Sequence, residues 1–213
     1  MKKLHLTLII ILIFSIKAKL YSQDEVPYKN SVKINPIGLT YSFIKEDFWA
    51  LYPSYERKLS DKLAFTTDVI FLNSNDESDY GKILYNNLSC SFSIRKYPFL
   101  QKQNWLNGIY FSGAVYIQKT DRKTVTYEHN YFGDRIYSIF DLRNTYAIGP
   151  GVIAGYEKEI GKRLSLEFMI EYYGTYKKRF RNYYYDIDMI EHKNEESSFM
   201  HVPFFRLLFG YKF

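Results

Sequence analysis

The 213-residue chain has few of the residues that build disulfide frameworks, metal fingers or hydrolytic centres. Cys90 is its single cysteine, so no disulfide can form within one chain, and no paired Cys/His spacing offers a zinc site. There are four histidines, His5, His129, His192 and His201, and none stands in an HExxH pattern. No lipase-type nucleophile elbow occurs. Long apolar runs are absent after residue 14, so no later segment reads as a helix able to hold the chain in an inner membrane. Charge of one sign is also scarce. The net charge is +6, and acidic residues are spread along the chain. That leaves no concentrated basic face of the kind nucleic-acid binding wants, and no nucleic-acid partner is expected.

What is abundant is tyrosine and phenylalanine, 22 and 17 of them, within an aromatic content of 19 %. This is too aromatic for a disordered chain. The length fits one domain. The mean hydropathy of −0.31 is that of a soluble protein. Membrane β-structures share it, because half of each strand faces a polar interior.

Residues 1–5 are short and basic, 6–14 almost continuously apolar, and 15–22 contain small residues and end at Ser22. These are the three regions of a secretory signal peptide. The apolar run is too short for an ordinary spanning helix. The expected organisation is a cleaved signal over 1–22, a periplasmic lead over 23–30 and one β-domain over 31–213. Cleavage near Ala18 is the alternative. No cysteine stands directly after the apolar run, which argues against an acylated lipoprotein. Lys2, Lys3, Lys17 and Lys19 lie in the signal, which leaves the mature chain at about +2.

The remainder divides into eight extended segments: 31–41, 48–59, 63–72, 82–97, 108–118, 145–157, 163–174 and 201–213. Most are longer than ordinary globular strands, and membrane-crossing strands need about 9–11 residues. Alternation is clearest near the C-terminus. Leu164, Leu166, Phe168, Ile170 and Tyr172 share one face, and Ser165, Glu167, Met169 and Glu171 the other. Phe205, Leu207, Phe209, Tyr211 and Phe213 oppose Arg206, Gly210 and Lys212, with Phe204 and Leu208 as less polar companions. A period of two is a strand's signature. The first two segments are rougher, and Pro36 and Pro53 demand a bulge or unusual pairing. Connectors tend to alternate in length, with long polar ones over 73–81, 119–144 and 175–200. The last two are long enough to extend their hairpins or to carry a short helix.

The expected fold is all-β: an eight-stranded antiparallel up-and-down transmembrane β-barrel in a bacterial outer membrane. Closure removes exposed strand edges, and lipid makes closure compulsory because unpaired backbone groups cost several kcal/mol each. Tyr41, Tyr97, Tyr146, Tyr156, Tyr172 and Tyr211, with Trp49 and Trp105, lie near segment ends, as aromatic girdles do. Glu56, Asp68, Arg95, Glu157, Glu167, Glu171, Arg206 and Lys212 fall on the opposite face. Eight strands leave an interior just wide enough for side chains. These charges should therefore pair as an interior polar network, with Glu167 and Glu171 approaching Arg206, rather than line an open pore.

The ending from Phe205 to Phe213 resembles the last strand of outer-membrane barrels, which alternates apolar residues and finishes in an aromatic. That resemblance implies recognition by the barrel-assembly machinery, with Phe209, Tyr211 and Phe213 as the signal. Residues 31–39, SVKINPIGL, and 53–60, PSYERKLS, look like a family of small Bacteroidetes-type outer-membrane barrels of unknown function, as does the Arg95-Lys96-Tyr97-Pro98 ending. The resemblance covers 31–213. It implies location and fold, and it brings no catalytic residues.

The functional expectation is a non-enzymatic envelope protein with a structural or surface-contact role and no cofactor. Alternatives are a narrow channel, a lipid-modifying enzyme and a secreted ligand-holding barrel. His201 with Ser197 or Ser198 and Glu195 or Glu196 gathers the atoms of a hydrolytic triad in one stretch, though without the geometry. The acids around His192, namely Asp186, Asp188, Glu191, Glu195 and Glu196, match no standard calcium loop and read as a solvated acidic loop. In the run 176–185, Lys177, Lys178, Arg179 and Arg181 interleave with tyrosines, which suits contact with anionic lipopolysaccharide or an extracellular ligand.

Overall fold

A computed structural model describes residues 29–37, 40, 42, 47–99, 108–129, 135–160, 163–185 and 191–213. The proposed signal, Tyr41 and Trp105 lie outside these residues, as do Asp186 and Asp188 of the acidic loop. Among the described residues nine strands are present: β1 Asn30–Ile34, β2 Phe48–Leu51, β3 Pro53–Ser60, β4 Leu63–Ser78, β5 Gly81–Lys96, β6 Ile109–His129, β7 Arg135–Ile160, β8 Leu164–Tyr185 and β9 Glu191–Lys212. All pairings are antiparallel, in the order β2-β4-β3-β1-β9-β8-β7-β6-β5, and β5 pairs again with β4.

The expected eight-stranded up-and-down barrel needs correction. The second expected strand breaks at Tyr52 into β2 and β3, and both pair with β4. The sheet curls, but it does not close along its height. β1 meets β9 through four residue pairs, from Ser31↔Lys212 to Ile34↔Phe209. Beyond Ile34 the chain reaches Asn35-Pro36. Proline has no N–H for a ladder and disfavours regular pairing. The Asn35 side chain accepts the Ile37 N–H at 2.9 Å, which turns the chain out of the strand. From Leu208 back to Glu191, β9 therefore has β8 as its one strand partner among the described residues. β2 likewise has only β4, while the Ser42 hydroxyl accepts from Ala50 N–H at 2.7 Å in place of a neighbouring strand. Among the described residues no strand pairing links β2 to the upper part of β9, and Pro36, Ile37, Thr40 and Ser42 are helical between β1 and β2.

The described parts of the connectors 119–144 and 175–200 are strand. β6 and β7 pair from Ile109↔Tyr156 to His129↔Arg135, and β8 and β9 from Leu164↔Tyr211 to Tyr184↔Glu191. These hairpins rise well past the tight-turn end, where β3 meets β4 and β7 meets β8.

Burial follows the alternation with inverted polarity. The enclosed face holds Lys33, Glu56, Thr66, Asp68, Arg95, Glu167 and Glu171, all buried. The outer face exposes Leu88, Phe92 and Ile94 on β5, Phe111, Val115 and Ile117 on β6, Ile148 and Val152 on β7, Leu164, Phe168 and Ile170 on β8, and Phe205 and Phe209 on β9. Val152 is 63 % exposed, whereas Glu167 is fully buried. Tyr110 and Tyr173 also lie inside, and inward glycines of β7 make room for them. A Cβ at Gly155 would run into the Tyr110 ring, and one at Gly151 into Tyr173.

Candidate functional site

The enclosed face is layered from the tight-turn end to the hairpin end. The lowest layer centres on Lys33 of β1. Its ammonium lies 2.9 Å from Glu56, 3.1 Å from Glu157 and 2.6 Å from Glu167. Arg95 of β5 reaches Glu56 at 2.7 Å and Glu167 at 2.8 Å, and its guanidinium stacks over the Tyr110 ring. The Tyr110 hydroxyl donates to Glu167, and the Tyr97 hydroxyl lies 3.2 Å from both Glu56 and Glu157. Strands far apart in the sheet order thus meet across the interior. Such charges are held only by mutual pairing, because an unpaired buried ion costs several kcal/mol.

Glu56, Glu157 and Glu167 place carboxylate oxygens within 4.8 Å of one another, a spacing that could hold a metal ion. The Lys33 ammonium sits against all three and supplies positive charge there. Lys212 adds more at the rim, 3.6 Å from Glu157 and 2.6 Å from Glu159.

The next layer joins Arg206 of β9 to Asp68 at 3.3 Å and to Glu171. Ser91 donates to Asp68 at 3.0 Å, and Tyr173 to Glu171 at 3.3 Å. Above it, the rings of Tyr116, Tyr173 and Phe204 pack with centroids 4.8–6.0 Å apart. Over this aromatic layer lies a cavity of about 550 Å³, bounded by Ala50, Tyr52, Ile70, Leu72, Tyr85, Ala147, Lys177, Met200 and Val202 among others.

The structure places all eight residues of the expected interior network on the enclosed face, each buried. Glu171 meets Arg206, whereas Glu167 turns to Lys33, Arg95 and Tyr110. Lys33, the hub of the lower layer, lies outside the network expected from sequence. Its signal was the alternation Ser31, Lys33, Asn35 against Val32, Ile34, obscured by the short strand. Tyr97, expected in a girdle, points inward and is buried. Of the basic run, Lys178 pairs with Glu195 at 2.6 Å, Arg179 with Glu196 at 3.2 Å and Arg181 with Asp141 at 2.9 Å. Lys177 instead donates to the Met200 thioether at 3.4 Å. The stretch with triad atoms is not assembled as one. Glu195 and Glu196 bind cations, while His201 stacks on Tyr172 and meets its hydroxyl. Phe209 is exposed on the outer face, Tyr211 accepts from Arg163 at 3.0 Å, and Phe213 exchanges backbone bonds with Asn30.

At the hairpin end, burial pushes the Asp141 carboxyl up, but hydrogen bonds from Arg143 and Arg181 and their charges hold it below its usual value. Among the described residues no helix is long and apolar enough to cross a membrane, which says nothing of strands.

No protein-family model and no curated relative matches the chain, so the likeness to a Bacteroidetes-type family stays with the residues that suggested it. Among solved structures, Acinetobacter baumannii CarO covers 88 % of this chain and 98 % of its own, at 8 % identity and a TM-score of 0.47. CarO2 of the same organism covers 90 % and 100 %, also at 8 % identity and 0.47. At that distance, function has to be argued from the chain's own geometry.

Proposed function

We propose that the chain is a non-enzymatic protein of a bacterial outer membrane, its outer apolar face set in lipid and its long hairpins held out for surface contact. The observation that carries this reading is inverted amphipathicity. In water, exposing so many Phe, Leu, Ile and Val side chains would forgo about 1.5–3 kcal/mol each. Patches of this extent mark a membrane or partner surface. Charged residues on the enclosed face complete the inversion. On this reading the C-terminal strand with Phe209, Tyr211 and Phe213 serves insertion by the assembly machinery, and contact with anionic surface groups falls to Lys178, Arg179 and Arg181, while Lys177 lines the cavity. A narrow channel is the weaker reading, because the two ion-pair layers and the aromatic layer fill the interior below the cavity.

Single cysteines in a Cys90→Ser background test the location. Ser197→Cys on the β9 extension is expected to react with a membrane-impermeant reagent in intact cells, and Phe168→Cys only with a lipid-soluble one. A protein that purifies without detergent and reacts at Phe168→Cys with the impermeant reagent would refute the proposal.

A further inference from the structure

At the hairpin end β6, β7, β8 and β9 stay paired, from the row Gln118↔Ala147↔Lys177↔Ser198 upward. Side chains alternate between the two faces of a strand, so the buried residues lower down fix which face each upper residue takes. On β6, buried Ala114 and Tyr116 put Arg122 on the enclosed face. On β7, buried Asp141, Thr145 and Ala147 put Arg143 there. On β8, buried Glu171, Tyr173 and Thr175 do the same for Lys177, Arg179 and Arg181. Lys119, Lys123 and Lys178 take the opposite face.

The register brings three of the inward cations into one row. Arg122 lies directly opposite Arg143, and Arg143 directly opposite Arg181. Residues so placed have Cβ atoms about 4.5–5.5 Å apart, and like charges there destabilise a sheet. One carboxylate serves the row. Asp141 accepts from Arg143, and it accepts from Arg181 at 2.9 and 3.0 Å through both oxygens. The Arg181 guanidinium also stacks over the Tyr183 ring at 5.1 Å. Arg122 is exposed and has no ion pair among the described residues. Below the row, Arg179 pairs with Glu196 at 3.2 Å, and Lys177 donates to the Met200 thioether. From the row of Gln118 to the row of Thr124, the enclosed face of these four strands therefore carries five cations and two carboxylates. Each guanidinium has five N–H donors, so Arg143 and Arg181 keep donors to spare after Asp141 is satisfied. Such planar forks match the oxygens of a phosphate group, which can take two parallel N–H bonds from each.

We infer that the row Arg122, Arg143 and Arg181 binds a phosphate group, with Asp141 and Tyr183 holding the forks in place and Arg179 and Lys177 adding to the positive field below. The inference rests on the reading of the hairpins as held out for surface contact, and it names the chemistry they contact. The phosphate comes either from lipopolysaccharide or from a soluble phosphate compound.

The test uses the full chain in phosphatidylcholine nanodiscs at neutral pH and low salt. Radiolabelled pyrophosphate and fluorescently labelled lipopolysaccharide are the two probes, each measured against empty discs. Binding should exceed that of empty discs and weaken as salt is raised. Arg122→Gln alters an exposed side chain and should leave the circular dichroism unchanged, yet it should weaken binding about tenfold or more, the value of one charge-assisted hydrogen bond. Arg122→Lys keeps the charge without the fork and should restore only part of the loss. Lys119→Gln, on the opposite face, should change nothing. Arg122-dependent binding of pyrophosphate supports the site with a soluble source, and Arg122-dependent binding of lipopolysaccharide alone supports it with a lipid source. Binding of neither probe, or equal binding by the parent and Arg122→Gln, overturns the site. Failure of the protein to co-elute with the discs, with Arg122-dependent binding retained, overturns the lipid-embedded reading and supports the site.

Discussion

Lys33→Met keeps an unbranched side chain of similar length and deletes only the charge at the hub of the lower layer. Three carboxylates lie within 2.6–3.1 Å of that ammonium. At an effective dielectric of about 20, each contact has a gross Coulomb energy of about 5–6 kcal/mol, most of it offset by desolvation. In the variant Arg95 remains to face Glu56 and Glu167, and Glu157 keeps Lys212 at 3.6 Å. Breaking a buried network in this way costs about 3–5 kcal/mol. The assay is equilibrium urea unfolding from phospholipid vesicles at neutral pH, read by circular dichroism. Adding Glu167→Gln to Lys33→Met removes one of the stranded carboxylates and should recover about 0.5–3 kcal/mol through coupling of the two sites. Lys82→Met breaks a pair with Glu77 that lies at the surface and should leave the midpoint in place. A Lys33→Met protein within about 1 kcal/mol of the parent would refute the assignment of Lys33 as the charge that holds the three carboxylates together.

Gly155→Ala sets a methyl against the Tyr110 ring, and overpacking of this kind should cost about 1–3 kcal/mol in the same assay. A neutral result would show that Tyr110 has another place to go. On β7, the Asp141 carboxyl is held below its ordinary value of 3.8, so its contribution is fully present above that value and is lost as the pH falls below it. Because Arg143 and Arg181 are about a third exposed, that contribution is about 0.2–1 kcal/mol. Asp141→Asn should raise amide exchange around the Asp141–Tyr183 pairing at neutral pH, with the difference from the parent shrinking as the pH falls below 3.8, and a difference that does not shrink would contradict the ion-pair account. Val152→Arg places a charge on the outer belt and should weaken folding into bilayers by about 2–4 kcal/mol if that residue lies near the midplane. An unchanged folding free energy would place Val152 in water.

The alternation in the sequence was enough to sort inner from outer residues in the seventh and eighth segments, and the eight charges assigned to the inner face are buried, together with Lys33 and Asp141. Two things were not legible there. The first is where β1–β9 pairing ends. Asn35-Pro36 announces an irregularity, but how far β1 pairs with β9 depends on a neighbour nearly the whole chain away, and local pattern carries no record of it. The second is the length of the hairpins. The parts of β8 and β9 around Lys178, Arg179, Glu195 and Glu196 carry polar side chains on neighbouring positions of both faces, so the period of two vanishes while backbone pairing continues. Lys33 was hidden for a related reason. A strand of five residues offers too few positions for one inward lysine to stand out from solvent-facing ones.

The central claim is that the apolar face meets lipid and the charged face does not. The most direct measurement places nitroxide spin labels one at a time along β8, from Leu164 to Tyr172, in the Cys90→Ser protein reconstituted in bilayers. Collision rates with molecular oxygen and with a water-soluble nickel chelate are then compared. The account predicts oxygen access at 164, 166, 168, 170 and 172, low access to both reagents at 165, 167, 169 and 171, and low nickel access at 168 and 170. Nickel access at 168 and 170 equal to that of a label on the exposed hairpin residue Ser197 would contradict it.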